Sequence, residues 1–291
     1  MKIGIGLPNT VLDATGDQLL EWARRADASG FSTLATIDRV AYPTYDSLVS
    51  LAAAAGATER IGLLTNVLLG PVYRAAQLAK STASLAQLSG GRFTLGIGIG
   101  TRADDYELAE TPFEDRGKRL DDLLEYLARS WKGELEPPVG PRAPNGTIPI
   151  LIGGQPQYAA PRAVRWNAAW TIGGGGADAA AGGAEAFRAG WKEHGGTGEP
   201  PIVALTYFSL GEGAVEESQR NLRSYYGYLD EWVDAIADHQ PRDPEAIRET
   251  VRAFQDTGVD ELIFDPSTSD PRAGRPAGRA RPVNAPVLAE G

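Results

Sequence analysis

Short apolar runs alternate along the whole chain with stretches whose apolar residues recur every three to four positions. The runs occupy residues 2–8, 31–38, 61–69, 92–100, 148–154, 168–174, 201–210 and 260–266. Their length and their β-branched and aromatic content mark them as strands. Helical periodicity covers 17–29, 47–58, 74–88, 114–131, 157–166, 177–193, 215–236 and 244–256. In the first of these Leu19, Trp22, Ala23 and Ala26 share a face, and Gly30 ends the helix. In the fourth, Leu120, Leu123, Leu124, Leu127 and Trp131 form one stripe. Strand–helix alternation predicts parallel strands joined by crossovers. Eight repeats predict an α/β fold of the closed (β/α)8 TIM-barrel type with insertions; an open doubly wound sheet is the alternative. Residues 132–147, rich in proline and glycine, read as an inserted loop. Residues 1–266 read as a single catalytic barrel domain, and residues 267–291 as an irregular or disordered tail, because no helical period follows the eighth strand.

Composition narrows the chemistry. The 291 residues are 42% apolar and 23% charged, as in a soluble globular protein, and a cytoplasmic location is expected. A net charge of −10 argues against nucleic acid and against an anionic membrane surface as partners. The absence of cysteine removes disulfides, thiolate nucleophiles and zinc–thiolate sites. The two histidines, His194 and His239, lie in polar helical contexts, so neither a histidine triad nor a metal site is expected. No apolar stretch approaches the ~20 residues that span a bilayer.

The fourth run, FTLGIGIGTRADDYE, is unusual. Gly96, Gly98 and Gly100 share one face, and Leu95, Ile97 and Ile99 the other. Glycine weakens a strand, so its repetition needs a reason. In a barrel the aliphatic face suits the outer helices and the glycine face the interior. Gly96 reads equally well as a small layer of the barrel core. Gly98 and Gly100 lie at the C-terminal end, where barrel enzymes build their sites, and leave room for a flat ring or a phosphate close to the backbone. The spacing is not the G-x-G-x-x-G dinucleotide fingerprint. Two other runs end in glycine, at Gly153-Gly154 and at Gly173 to Gly176, and together the three ends predict a cradle of backbone N–H groups for a phosphorylated cofactor.

Polar residues gather at the same ends: Asp38 and Arg39 after the second run, Asn66 in the third, and Thr101, Arg102, Asp104, Asp105 and Tyr106 after the fourth. Each has a structural alternative. Asp38 and Arg39 can pair with neighbours, and Asp104 or Asp105 can cap the turn that carries Tyr106. Arg116 and Arg119 read as solvated helix charges. Arg102 follows the glycine strand directly and can neutralise a phosphate or an anionic reduced ring. Tyr42, Tyr45, Tyr73, Tyr106, Tyr207 and Phe208 are candidate pocket aromatics or ordinary packing.

The stretch from Thr58 to Asp122 resembles the luciferase-like monooxygenase superfamily of flavin- and deazaflavin-dependent oxidoreductases. The combination LSGGR, three residues, LGIGIG carries the likeness, with KIGIGLP, IPILIGG and DTGVDELIF in support. The resemblance covers about residues 2–265 and stops at the tail. It implies a TIM barrel, usually dimeric, that binds FMN or coenzyme F420 at the C-terminal ends of its strands. It implies a non-proline cis peptide at Asn66-Val67 behind the isoalloxazine ring. Gly153 and Gly154, with Gly174 and Gly175 nearby, would hold the phosphate, and Thr101 and Asp104 would line the ring pocket. Many deazaflavin-dependent relatives carry Asp-His at the end of strand two; here the pair is Asp38-Arg39. Arginine stays protonated and cannot shuttle a proton, though it can stabilise an anion.

The leading expectation is a monooxygenase that uses reduced FMN and oxygen on a small organic substrate, with a flavin reductase as supplier of the reduced cofactor. Arg39, Arg102 and Asp38 are its candidate catalytic residues, and Asn66, Val67, Gly98 and Gly100 join the residues above at the cofactor. The alternatives are a hydride-transferring reductase that uses coenzyme F420, a non-catalytic flavin-binding barrel, and a hydrolase built on Asp38 and Asp104.

Overall fold

The computed structural model describes residues 1–211, 213–229, 232–238 and 240–270. The tail from 271 onward and His239 lie outside the described residues. The strands are β1 (Lys2–Gly6), β2 (Thr33–Thr36), β3 (Gly62–Thr65), β4 (Leu68–Leu69), β5 (Phe93–Gly98), β6 (Ile150–Gly153), β7 (Ala169–Gly173), β8 (Ile202–Phe208) and β9 (Glu261–Pro266). They run parallel in the order β3-β2-β1-β9-β8-β7-β6-β5-β4, and a β3–β5 pairing, Leu63 with Phe93 and Leu64 with Thr94, closes the ring. β3 and β4 are two halves of the third apolar run, so the barrel has eight staves, and closure excludes the open sheet. The break falls at Asn66-Val67, whose peptide bond is cis.

The surrounding helices are α1 (Gly16–Ala28), α2 (Ser47–Ala57), α3 (Ala75–Leu88), α4 (Ala103–Leu108), α5 (Arg116–Lys132), α6 (Pro156–Trp166), α7 (Ala177–Glu193), α8 (Ala214–Tyr226), α9 (Trp232–Asp238) and α10 (Pro244–Gln255). Local chemistry sets several of their ends. Thr15 and Gln18 form a capping box on α1, and Gly133, at φ 75°, stops α5. The stripes read from the sequence are buried: Leu19, Trp22, Ala23 and Ala26 on α1, and Leu120, Leu123, Leu124, Leu127 and Trp131 on α5. They pack against outward-facing strand residues such as Leu34, Leu63, Leu95 and Ile97.

A second apolar cluster fills the barrel itself, with Ala35, Leu64, Leu151, Val203, Leu205, Tyr207 and Ile263 pointing inward. Leu222 of α8 and Ala237 of α9 belong to the same cluster. The single helix expected over 215–236 is therefore two pieces, α8 and α9, separated by a 3-10 turn at Gly227–Leu229. Both precede the crossover helix α10 and form a cap on the C-terminal mouth. Gly227 interrupts the helical period, and docking of this segment onto the barrel interior takes the place of continued helix.

Candidate active site

The glycines of β5 face the interior, and most of the space they leave is taken by the chain's own third stave. A side chain at Gly96 would collide with the Thr65 carbonyl. The Thr65 hydroxyl in turn donates to the Gly96 carbonyl at 2.7 Å. Cβ atoms at Gly98 and at Gly153 would each lie 3.0 Å from the Val67 methyls, and one at Gly100 would lie 2.8 Å from Leu69. The glycines thus admit the bulged β3–β4 segment. They place Val67, half-buried, as a shelf across β5 and β6. Gly98 and Gly100 stand behind that shelf rather than on its open side.

Bare backbone is open one stave further on. Gly154, at φ 116°, and Gly174, at φ 79°, have no atom within 4 Å of a Cβ position, and Gly176 is equally free. Gly154 leads into α6 and Gly176 into α7, and neither helix N-terminus receives a side-chain cap. Unsatisfied N–H groups and the positive end of the helix dipole converge there. The first turn of α6 has no acidic residue, whereas α7 carries Asp178 in its first turn, so the α6 end suits an anion better. Gly175 packs toward Ala179, away from this opening.

The opposite side of the mouth is covered. Arg39 donates to the Tyr225 carbonyl at 3.1 Å and to Asp104 at 2.6 Å, with its guanidinium 5.0 Å from the Tyr42 ring centre. Arg102 donates to the same Tyr225 carbonyl at 3.3 Å and lies 4.4 Å from both the Tyr225 and Tyr228 rings. Two cations therefore clasp the C-terminus of α8, where the helix dipole is negative. Asp105 is buried and accepts the Val40 and Ala41 N–H groups at 2.8 and 2.7 Å, joining the loop after β2 to α4. Arg102, not Asp104 or Asp105, is the N-cap residue of α4. Thr101 is exposed at the tip between β5 and α4.

Asp38 lies beneath this clasp. Its carboxylate accepts the Leu69 N–H at 2.9 Å and the Tyr73 hydroxyl at 3.1 Å. Burial pushes its pKa up to about 6 against those two hydrogen bonds, with Asp46 and Asp105 adding to the rise. Burial and the neighbouring Asp38 hold Tyr73 protonated. Asp38 thus fixes the start of β4, next to the Val67 shelf. The structure brings Asp38, Arg39, Arg102 and Asp104 together around one loop cluster. It sets them apart from Gly153, Gly154 and Gly174 across the mouth.

Several residues of the mouth were not singled out from sequence. Tyr225 and Tyr226 form the underside of the cap, with the exposed Tyr228 stacked on Tyr226, and the Tyr226 hydroxyl meets that of Tyr207 at 2.6 Å. Burial pushes Tyr226 up to about 12, so both phenols stay neutral. Asp265, at the inner face of β9, is 1% exposed. Two signals were available: three tyrosines within four residues, and an aspartate in register with inward-facing Ile263. Asn66 is 8% exposed with its amide nitrogen unpartnered, and Thr171 has an unpartnered buried hydroxyl. A cavity of about 520 Å³ also opens at the N-terminal strand ends, lined by Thr33, Gly62, Thr94 and Glu261. It lies at the end of a TIM barrel opposite to the one where enzymes of this fold work, and away from the open glycine backbone.

A parallel eight-stave barrel with bare backbone at the C-terminal rim defines a protein of the TIM-barrel class. More particularly, the chain belongs to the luciferase-like monooxygenase family, whose model matches residues 1–272. An uncharacterised protein of Mycobacterium tuberculosis is 32% identical over 188 residues, covering 54% of this chain and 65% of that protein. Among solved structures, an F420-dependent secondary alcohol dehydrogenase superposes with a TM-score of 0.77 at 17% identity, over 94% of this chain and 97% of that one. The oxygenating constituent of 3,6-diketocamphane monooxygenase from Pseudomonas putida, in complex with FMN, gives 0.69 at 18% identity, over 91% of each chain. At these identities the likeness is one of fold.

Proposed function

We propose that the chain is a flavin-dependent oxidoreductase that binds reduced FMN across the Val67 shelf and acts as a monooxygenase on a small organic substrate. The carrying observation is the open backbone at Gly154, set at the uncapped N-terminus of α6 and next to the apolar shelf of Val67, which packs on Gly153. A phosphate held by Gly154 and the first N–H groups of α6 leaves the ring to lie on Val67, with Gly174 at its flank. Unpartnered polar atoms on Asn66 and Thr171 offer hydrogen bonds to a ring edge. The bound flavin supplies the redox chemistry, including the reaction with oxygen. The protein contributes a cap that excludes water and, in Arg102, a guanidinium without a carboxylate partner among the described residues that balances negative charge at the mouth, whereas the charge of Arg39 is met by Asp104. A separate flavin reductase supplies the reduced cofactor. Arg39 in place of a histidine at the end of β2 favours FMN over coenzyme F420, because the guanidinium stays protonated and the neighbouring Asp38 carboxylate is engaged by Leu69 and Tyr73.

Titration of the purified chain with FMN and with coenzyme F420, followed by fluorescence, tests this reading. FMN is expected to bind, and Gly154→Val to weaken it at least tenfold while leaving the far-UV spectrum of the barrel unchanged. Binding of coenzyme F420 alone makes the chain a reductase or dehydrogenase instead; binding of neither ends the proposal.

A further inference from the structure

Trp170 of β7 reaches the glycine rim from outside the barrel. Its indole is buried and lies flat on Phe187 of α7, with ring centres 4.8 Å apart and planes 12° from parallel. A Cβ at Gly183 of the same helix would come within 3.0 Å of the indole, so α7 is thinned where it sits. From that slot Nε1 donates to the Gly154 carbonyl at 2.8 Å. Burial of an indole does not enforce such a bond in this protein, since the nitrogens of Trp22, Trp166 and Trp191 are buried without a partner.

The bond fixes one peptide plane. The Gly154-Gln155 peptide is trans, so its N–H points opposite to its carbonyl. With the carbonyl tied to the outer layer, the Gln155 N–H is turned the other way, toward the barrel mouth. It meets no acceptor among the described residues, and neither do the N–H groups of Gly154 and Gln157. Pro156, at the first position of α6, has no N–H to give. The cradle therefore rests on few donors, and the aim of each matters. Gly154 has no side chain and no atom near its Cβ position, so it does not itself restrain the plane. Thr171, the next residue of β7, faces the interior in register with Gly153; it is 8% exposed, and its hydroxyl is unpartnered beside the same opening. We propose that Trp170 is a positioning residue for the cofactor phosphate: its indole N–H sets the Gly154-Gln155 peptide so that the Gln155 N–H joins those of Gly154 and Gln157 on the phosphate oxygens. Trp170 acts through the backbone, from the far side of the strand. The proposal deepens the flavin reading above and rests on it.

The test compares the full chain as wild type, Trp170→Phe and Trp170→His. Phenylalanine keeps a ring on Phe187 and loses the donor; histidine loses the six-membered ring, but its Nε2 can take the place of the indole Nε1 and donate. Dissociation constants are measured for FMN and for riboflavin, which has the same ring system and no phosphate. Trp170→Phe is expected to weaken FMN about fivefold and leave riboflavin unchanged, and Trp170→His, assayed at pH 8, to hold FMN within about twofold of wild type. A packing role predicts the reverse order of the two variants, with FMN and riboflavin weakened alike, and that result overturns the proposal. Unchanged FMN binding by Trp170→Phe, its failure to fold, or equal affinity of the wild type for FMN and riboflavin overturns it as well. Failure of the wild type to bind either flavin is a different result and counts against the flavin reading itself.

Discussion

Asp38 shows how one buried group sets a pH dependence. Its folded-state pKa, about 6, lies above the ordinary aspartate value of 3.8, chiefly through burial. The folded protein therefore keeps a proton that the unfolded chain releases, and stability falls as pH rises from about 4 to about 6, then levels off. Two pKa units correspond to roughly 3 kcal/mol. Asp38→Asn removes this contribution. Urea unfolding at pH 4 and pH 7 should show the wild type losing on the order of 2–3 kcal/mol relative to the variant across that interval. Parallel behaviour of the two proteins would mean that Asp38 is ionised throughout. The sequence marked Asp38, Arg39 and Arg102 as polar residues at strand ends, which follows from position alone. Their partners were not readable, because Arg39 meets a carbonyl 186 residues away.

Elements show where periodicity succeeds and where it stops. Amphipathic stripes place α1 and α5 correctly because each buries one face against a stave. The helix over 215–236 divides because its tyrosines dock onto the barrel mouth, a tertiary fact that no window of sequence contains. The third apolar run reads as one strand although the chain bulges within it; what betrays the bulge is the glycine in the strand beside it. The cap is held by the guanidinium clasp at Tyr225, and each contact of this kind contributes about 1 kcal/mol. Arg102→Ala should raise amide hydrogen exchange in α8 by about tenfold and leave the protected core of β1 and β9 unchanged. Equal exchange in both proteins would show that the cap is held by its apolar underside alone.

At the scale of the whole molecule, closure of the barrel depends on β3 meeting β5. Gly96→Val drives a side chain into the Thr65 carbonyl and toward Leu151. That clash with backbone should lower stability by at least about 3 kcal/mol in urea unfolding. Gly154→Val meets no neighbouring atom but strains a positive φ, so it should cost about 1–3 kcal/mol in unfolding, less than Gly96→Val, and act in addition on cofactor binding. The contrast separates glycines that serve the barrel from glycines that serve a ligand. In the sequence only position tells the two kinds apart: Gly96 lies within the fourth apolar run and Gly154 ends the fifth. Eight-fold alternation, by comparison, narrowed the fold to a barrel or an open doubly wound sheet, because crossover geometry leaves few other arrangements, and the β3–β5 pairing decides between them.

The Val67 methyls rest against two positions that have no side chain of their own, Gly98 and Gly153. The depth of the hollow in front of Val67 is thus governed from its rear. One methyl group added at Gly98 would nudge the valine forward by a few tenths of an ångström. Such a change shrinks the space for whatever rests there while every residue in touch with it stays the same, so selectivity can drift through substitutions hidden from the bound molecule.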